Sequence, residues 1–385
     1  MATAVPVLLV STAPRSYGTA RTPRALAKAG FEVTLLTPRN ALAESSRFVA
    51  RVAHLPDRTT PREWIHAVAA TVRAVSPLQI MPCDDMSFRL LAMLVLSPPP
   101  QMQPALQTEL AALVRDSLGD SAHYRTSVDN TLLGAAASRA GVRVPAHAVI
   151  STRDEAAAFA RTQGFPVVVK RPFTTAGDDV RIAADAAELA AAVDVLAAPK
   201  LDDLEPDASR RVLVQRYVDG TICQQHGAAW RGRLLAGYAG DRLEADGGPM
   251  APGTVVRCHD APALRALSAQ LVEAFGITGF FTCNYVVEKA TGRPHLIGIN
   301  RRIGPGTHYG TVLDVDLCAA LHAALQGTPP PTRGQLDPGE ERVFVQFPAE
   351  WLRNPDSRWL RGYPVDIPWD DPDLLDAMLT LRNPP

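Results

Sequence analysis

The sequence predicts an α/β protein in which an N-terminal open parallel sheet precedes a unit of mixed α+β structure. Near the N-terminus, two apolar runs typical of buried strands, Val5–Val10 and Phe31–Thr37, flank a helical segment. In the middle of the chain, a β-branched run at residues 167–169 leads through a lysine into a turn-rich loop. Residues 280–306 then have the pattern of a β-hairpin followed by a glycine-containing loop. These segments distribute sheet structure along most of the chain.

Composition excludes several classes of function. The 385 residues are 46% hydrophobic and 21% charged, and the net charge of −1 comes without any basic run, so we expect no nucleic-acid partner. No apolar stretch reaches the roughly 18 residues that a membrane helix needs, so we expect no membrane partner. The five cysteines lie far apart, which favours buried reduced thiols in a cytoplasmic protein.

Residues 1–100 are predicted to form the open-sheet domain. After the first strand, Thr22 is a suitable helix N-cap, Pro23 suits the first helical position, and Gly30 suits the C-terminal stop. A later strand at residues 78–81 places Asp84 and Asp85 at its carboxyl end. Because ligands of parallel sheets bind at such ends, the two aspartates are either a helix N-cap pair or a substrate contact.

The strand of residues 166–169 presents Lys170, which is followed by a loop containing Thr174, Thr175 and Gly177. A lysine on a rigid strand can neutralise phosphate groups, and a loop of small residues can offer its backbone N–H groups to them. The alternatives are an exposed lysine at a strand end and an ordinary hairpin turn.

The second half of the chain adds strands, a glycine-rich loop and a long helix at residues 261–275. The hairpin strands Gly279–Glu288 and 295–300 end in Asn300 and Arg302. Residues 331–385 are rich in Pro and Trp, and we expect them to form a C-terminal extension that packs on the body.

The order strand, lysine, loop, strand, helix, together with the Asn-x-Arg pattern of Asn300 and Arg302, resembles the ATP-grasp superfamily, in particular its carboxylate–amine ligases. The resemblance implies a small subdomain at residues 127–210 and a large subdomain at 211–330, with nucleotide between them. Residues 1–100 would be the domain that precedes the ATP-grasp unit, and 101–126 the connecting segment.

The resemblance also implies an ATP site. Backbone groups of the segment after residue 214 would contact adenine. Gln224 would contact ribose, because the usual glutamate position holds Ile222; His226 is a second candidate, and an ordinary satisfied polar side chain is the alternative. The implied ATP-binding residues are Lys170, Thr174, Thr175, Gly177, Gln215, Arg216, Tyr217, Val218 and Gln224.

Several positions depart from the family pattern. Asn284 and Gly298 stand where the superfamily places its metal-binding carboxylates, and Asn130 stands where it places a first phosphate-contacting lysine. Magnesium prefers anionic oxygen ligands, so Asn284 and Asn300 are expected to hold Mg²⁺ only weakly. Asp241, Glu244 or Asp246 from the neighbouring segment is a candidate source of the missing charge.

The leading function is an ATP-dependent ligase that joins a small carboxylate to an amine through an acyl phosphate. On the resemblance, Asn300 and Arg302 would be catalytic, with the Arg302 guanidinium stabilising the phosphorylated intermediate. One alternative is a pseudoenzyme that binds nucleotide without turnover in a regulatory or scaffold role. Another is a structural module that has lost nucleotide binding. The partners implied are small-molecule carboxylate and amine substrates, and the resemblance also allows a homodimer.

Overall fold

A computed structural model describes residues 4–56, 59–100, 102–174, 179–198, 211–247 and 251–380, and these residues fold into three β-sheets flanked by helices. The strands are β1 Val5–Val10, β2 Phe31–Thr37, β3 Arg51–His54, β4 Gln79–Pro82, β5 His147–Ile150, β6 Val167–Lys170, β7 Val180–Ala183, β8 Val212–Arg216, β9 Gly220–Trp230, β10 Arg233–Ala245, β11 Gly253–His259, β12 Gly279–Glu288, β13 Pro294–Asn300 and β14 Glu341–Val345. The predicted α/β class is confirmed.

Helices separate the strands and cover the sheets. They are α1 Tyr17–Ala29, α2 Pro61–Val75, α3 Asp85–Leu96, α4 Pro104–Leu118, α5 Tyr124–Val128, α6 Asn130–Arg139, α7 Arg153–Gln163, α8 Ala186–Ala197, α9 Pro262–Ala274, α10 Gly310–Leu313, α11 Leu317–Gln326, α12 Ala349–Arg353, α13 Trp359–Gly362 and α14 Pro372–Thr380. Across the described ranges, every helix is too short or too polar to cross a membrane.

The first sheet has the order β3-β2-β1-β4 and is parallel throughout, as the sequence predicts for an open α/β domain. The predicted start of its first helix at Thr22 and Pro23 is wrong. Ser16 is the N-cap, since its hydroxyl accepts a hydrogen bond from the Thr19 N–H at 3.2 Å, and Pro23 lies inside the helix. The predicted stop is confirmed, because Gly30 adopts the left-handed conformation (φ 104°) that glycine reaches without strain.

Residues expected to be a connecting segment contribute to the core of the first unit. Helix α4 packs Leu110, Val114 and Leu118 into the hydrophobic cluster on one side of the parallel sheet. The Ser117 hydroxyl of this helix accepts a hydrogen bond of 2.9 Å from the backbone N–H of Ile80 in β4. The segment is thereby fixed against the N-terminal domain.

The second sheet is small and antiparallel, with the order β5-β8-β6-β7, and it carries α7 and α8. The third sheet has six antiparallel strands in the order β13-β12-β9-β10-β11-β14. Helix α9 packs on one face of this large sheet, while α11 and the N-terminal domain cover part of the other. Strand β8 belongs to the small sheet and β9 to the large one, so residues 217–219 connect the two sheets.

The C-terminal residues pack on the body, as expected. Strand β14 extends the large sheet by pairing with β11, and α14 buries Leu374 and Met378 against the N-terminal domain. All five cysteines are buried and free.

Candidate functional site

The candidate site lies where the small sheet meets the large one. Within a strand of the large sheet, neighbouring side chains point to opposite faces. Gln224, Asn284 and Gly298 lie in one row across β9, β12 and β13, and we call this side the front face. Cys223, Tyr285 and Asp241 lie in the adjacent row and define the back face. The predicted polar residues of the large sheet therefore share the front face.

Lys170 ends β6 and reaches from the small sheet to the large one. Its Nζ donates a hydrogen bond of 3.0 Å to the carbonyl oxygen of Ile297 in β13, the strand that ends at Asn300. The side chain is only 5% exposed, and burial lowers its pKa to about 8. Within the described residues, no carboxylate pairs with this ammonium group. A buried cation with only a neutral partner is a favourable place for an anionic ligand.

The loop after Lys170 is fixed at its base by the residue that replaces the expected lysine. The Asn130 side chain donates hydrogen bonds of 3.1 Å to the Arg171 carbonyl and to the Thr174 hydroxyl. Thr174 thus lies close to Lys170 in the chain and in space. The predicted residues Thr175 and Gly177 lie outside the described residues.

The predicted adenine-contacting residues lie on the connection between the two sheets. Gln215 and Val218 are buried, and Arg216 forms an ion pair of 3.4 Å with Glu288 of β12. An open cavity of about 460 Å³ borders this connection and is lined by Arg216, Tyr217, Asp219, Glu288, Lys289 and Ala290. The cavity has both charged and apolar lining residues and lies toward the tip of the β12–β13 hairpin.

The residues at the expected metal position do not fit a magnesium ion. The Asn284 Oδ1 already accepts a hydrogen bond of 2.8 Å from Gln224 Nε2, and Gly298 opposite it has no side chain. The Lys170 ammonium lies one residue away, on the Ile297 carbonyl. Magnesium requires anionic oxygens in nearly octahedral geometry, and here amide oxygens and a cation stand in their place.

Two of the three acidic residues expected as replacements, Asp241 and Glu244, do not reach this position. Asp241 lies on the back face, where its carboxylate accepts a hydrogen bond of 2.7 Å from Arg257. Glu244 accepts one of 3.0 Å from the Trp359 indole. The front face therefore has no carboxylate from either residue.

Arg302 is paired with the N-terminal domain. Its Nε and Nη2 lie 2.8 and 3.2 Å from the two carboxylate oxygens of Asp85, the first residue of α3. The structure gives different roles to the two aspartates, for which the sequence left a helix N-cap and a substrate contact as alternatives. Asp84 is the N-cap, accepting from the backbone N–H groups of Ser87 and Thr12 at 2.7 and 2.6 Å, whereas Asp85 binds the arginine. The Asp85 position at a strand end was the only sequence signal for this pairing.

His226 completes the front face beside Arg302. Its Nδ1 lies 3.1 Å from the Thr282 hydroxyl, and its ring packs near Tyr238. Burial and the nearby Arg302 guanidinium lower the His226 pKa to about 4, so the imidazole is neutral at physiological pH. Strand alternation from Gln224 places the two side chains on one face, as the sequence indicates.

Comparison with known proteins supports the same architecture. The family described as "Carbamoyl-phosphate synthase L chain, ATP binding domain" matches residues 129–221. The search of curated proteins found no match to the sequence. Solved structures similar in fold include a biotin carboxylase from Campylobacter jejuni in complex with β,γ-ATP (TM-score 0.64, 12% identity, covering 88% of this chain and 74% of that one). An L-amino acid ligase from Bacillus licheniformis is similar with a TM-score of 0.61 and 15% identity, covering 89% and 80%.

A further similar structure is a carboxyaminoimidazole ribonucleotide synthase from Aspergillus clavatus complexed with ATP (TM-score 0.64, 13% identity, covering 89% of this chain and 82% of that one). At these identities the similarity concerns the fold. The predicted ATP-grasp fold is confirmed, both by the family match over the small sheet and by the structural neighbours.

Proposed function

We propose that the protein binds ATP between the small and large sheets and uses it to join a small carboxylate to an amine. The observation that carries the proposal is the buried Lys170 ammonium, which spans the two sheets without a carboxylate partner among the described residues. A triphosphate supplies the negative charge that this group lacks. On this proposal the two subdomains that enclose the nucleotide, expected at residues 127–210 and 211–330, divide instead at residues 217–219, because β8 pairs in the small sheet.

The nucleotide would lie along the front face. Lys170 would contact phosphate oxygens together with Thr174, Thr175 and Gly177 of the loop. The connection between the sheets would contact the adenine ring through its main chain, and Gln224 or His226 would hold the ribose. The connection is formed by Gln215, Arg216, Tyr217 and Val218.

The reaction would proceed in two steps. A carboxylate oxygen of the substrate attacks the γ-phosphorus of ATP, and ADP leaves as an acyl phosphate forms. The amine then attacks the acyl carbon, phosphate leaves, and a proton is released to solvent. Arg302, beside Asn300, would stabilise the negative charge of the phosphorylated intermediate, because its planar guanidinium can bind a phosphate through two N–H groups. An anion at this place would compete with the Asp85 carboxylate for the same N–H groups.

Among the described residues, the front-face row of Gln224, Asn284 and Gly298 offers magnesium no carboxylate. We therefore expect Lys170 and Arg302 to balance the charge of the phosphates. We assign no step of the reaction to a protein-bound metal. The lack of metal-binding carboxylates distinguishes the proposed site from the pattern of the superfamily. Phosphate binding then depends on Lys170 and Arg302 together.

Turnover with candidate substrates tests the proposal. ADP release is measured with a panel of amino acids and other small carboxylates paired with amines, each in the presence of ATP. We expect release that needs both substrates and falls at least about a hundredfold in Lys170→Ala and Arg302→Ala. An exposed cation, as in Arg293→Ala, is the matched control and should leave the rate unchanged. Equal rates in all three variants would contradict the assignment, and ATP binding without any turnover would favour the pseudoenzyme.

A further inference from the structure

A second cluster of chemically reactive side chains lies on the back face of the large sheet, away from the proposed nucleotide site. Cys223 in β9 is directly opposite Asp241 in β10, and His259 lies at the end of the next strand, β11. Their ligand atoms, one thiol sulfur, one carboxylate oxygen and one imidazole nitrogen, all lie within 4.8 Å of one another. From these atoms we infer that the back face binds a zinc ion through Cys223, Asp241 and His259.

The histidine is oriented as a metal-binding histidine usually is. Its Nδ1 lies 3.1 Å from the backbone carbonyl oxygen of Asp260, so Nδ1 carries the proton and donates it there. The other nitrogen, Nε2, faces the cluster and lies 3.1 Å from the Asp241 Oδ2. A hydrogen bond from the outer nitrogen to a carbonyl fixes the ring and leaves the inner lone pair for the metal.

Burial and access suit a bound ion. Cys223 and Asp241 are 3% and 8% exposed, so the sulfur and the carboxylate are held in a fixed geometry by two paired strands. His259 is partly open to solvent and gives the ion a way in. Three protein ligands of the types Cys, Asp and His, with one position left for water, match the four-coordinate geometry that zinc prefers.

A metal ion can bind at the cluster while the neighbouring cation, Arg257, stays in place. Arg257 donates to Asp241 at 2.7 Å and also lies 3.8 Å from Glu341. The oxygen that Arg257 holds is Oδ2, the same one that lies 3.1 Å from His259 Nε2. A metal would therefore bind Asp241 through Oδ1, while the guanidinium keeps Oδ2 and Glu341 offsets its charge. Zinc binding converts the Cys223 thiol to a thiolate, and the displaced proton passes to solvent.

The full-length protein, freed of metal with a chelator, provides the test. Zinc alone is added, excess is removed by gel filtration, and bound zinc is measured by elemental analysis; cobalt is then substituted for zinc and the absorption spectrum recorded. We expect about one zinc ion per chain and, with cobalt, a thiolate-to-metal charge-transfer band. Cys223→Ser and His259→Gln should each weaken zinc binding at least about tenfold and remove or alter that band.

A matched control comes from the same sheet. Cys258 neighbours His259 in β11 but points to the opposite face, so Cys258→Ala removes a buried thiol without touching the cluster. It should bind zinc like the wild type. Absence of zinc from the wild type, unchanged binding in both cluster variants, or equal loss in Cys258→Ala would each overturn the inference. If Cys223→Ser does not fold, His259→Gln decides by the same measurements, since its side chain is partly solvent-exposed.

Discussion

At the scale of single residues, the proposed site depends on one charge in an unusual environment. Lys170 is nearly inaccessible to solvent, and the removal of water from its ammonium group lowers the pKa to about 8. The only hydrogen-bond acceptor described for it is a neutral carbonyl, that of Ile297. Such a buried charge lowers the stability of the ligand-free protein, and a bound anion would raise the stability again.

Replacing Lys170 with methionine should separate stability from function. A shift from 10.5 to about 8 corresponds to a cost of about 3 kcal/mol at neutral pH. Lys170→Met should therefore raise the free energy of unfolding of the free protein by up to that amount while abolishing nucleotide binding. Loss of the hydrogen bond to Ile297 makes this increase in stability smaller. Chemical denaturation of the wild type and of Lys170→Met measures the difference in the free energy of unfolding.

We also expect the stability difference between Lys170→Met and the wild type to change with pH in one direction. Below pH 8 the lysine is protonated in both the folded and the unfolded chain, so the full cost is present. Between pH 8 and about 10.5 the unfolded chain binds more protons, and the wild type gains stability as pH rises. The advantage of Lys170→Met should shrink across this interval. An advantage that is constant or grows with pH would refute the assigned desolvation.

The missing metal ligands can be restored to test their role. A Cβ atom at Gly298 would meet only the Asn284 Nδ2, at 3.6 Å, so the fold leaves room for a side chain there. The double variant Asn284→Asp with Gly298→Glu should make ATP binding depend on Mg²⁺ by about tenfold more than in the wild type, because two carboxylates favour the ion. Calorimetric titration with and without Mg²⁺ measures this dependence. The uncharged control keeps Asn284 and carries Gly298→Gln alone, and equal dependence in the two variants would refute the interpretation.

At the scale of secondary-structure elements, long-range contacts lock the C-terminal extension onto the N-terminal domain. Asp371, just before α14, is fully buried and accepts hydrogen bonds from the Ser46 hydroxyl at 2.6 Å and from the Arg47 N–H at 2.9 Å. Arg21 of α1 forms a further bidentate pair with Asp366. These pairs connect residues more than 300 positions apart, so a local sequence pattern does not contain them.

Asp371→Ala should lower the free energy of unfolding by about 2–3 kcal/mol, because it leaves two buried donors without an acceptor. Asp376→Ala in the same helix is the control. Its side chain is exposed, and the change should stay below about 0.5 kcal/mol. Thermal or urea unfolding compares the two variants, and similar losses would show that Asp371 does not fasten the helix.

Local patterns predicted the elements better than the contacts between them. The hairpin of β12 and β13 and the strand that ends at Lys170 follow from alternation and β-branched composition, and both are found as predicted. The start of α1 was misplaced because Thr22 and Pro23 fit a helix start locally, while Ser16 provides the actual cap. The pairing of Arg302 with Asp85 joins two domains, and no spacing in the sequence encodes it.

At the scale of the whole molecule, each of the three sheets contributes a residue to the proposed site. The parallel sheet contributes Asp85 at the carboxyl end of its last strand, the small sheet contributes Lys170, and the large sheet contributes the front face with Arg302 just beyond it. Solved structures of similar fold cover 88–89% of the chain. The fold is the ATP-grasp fold. On its front face, amide and cationic side chains stand where the superfamily pattern has metal-binding carboxylates.

The central claim is that two protein cations, rather than a protein-bound metal, hold a triphosphate between the sheets. Calorimetric titration of the wild-type protein with a non-hydrolysable ATP analogue, first in the presence of a chelator and then with Mg²⁺, tests it most directly. We expect binding without metal, a change in affinity of less than about tenfold on adding Mg²⁺, and loss of binding in Lys170→Met. It would be contradicted by the absence of binding, by binding that requires Mg²⁺, or by unchanged binding in the variant.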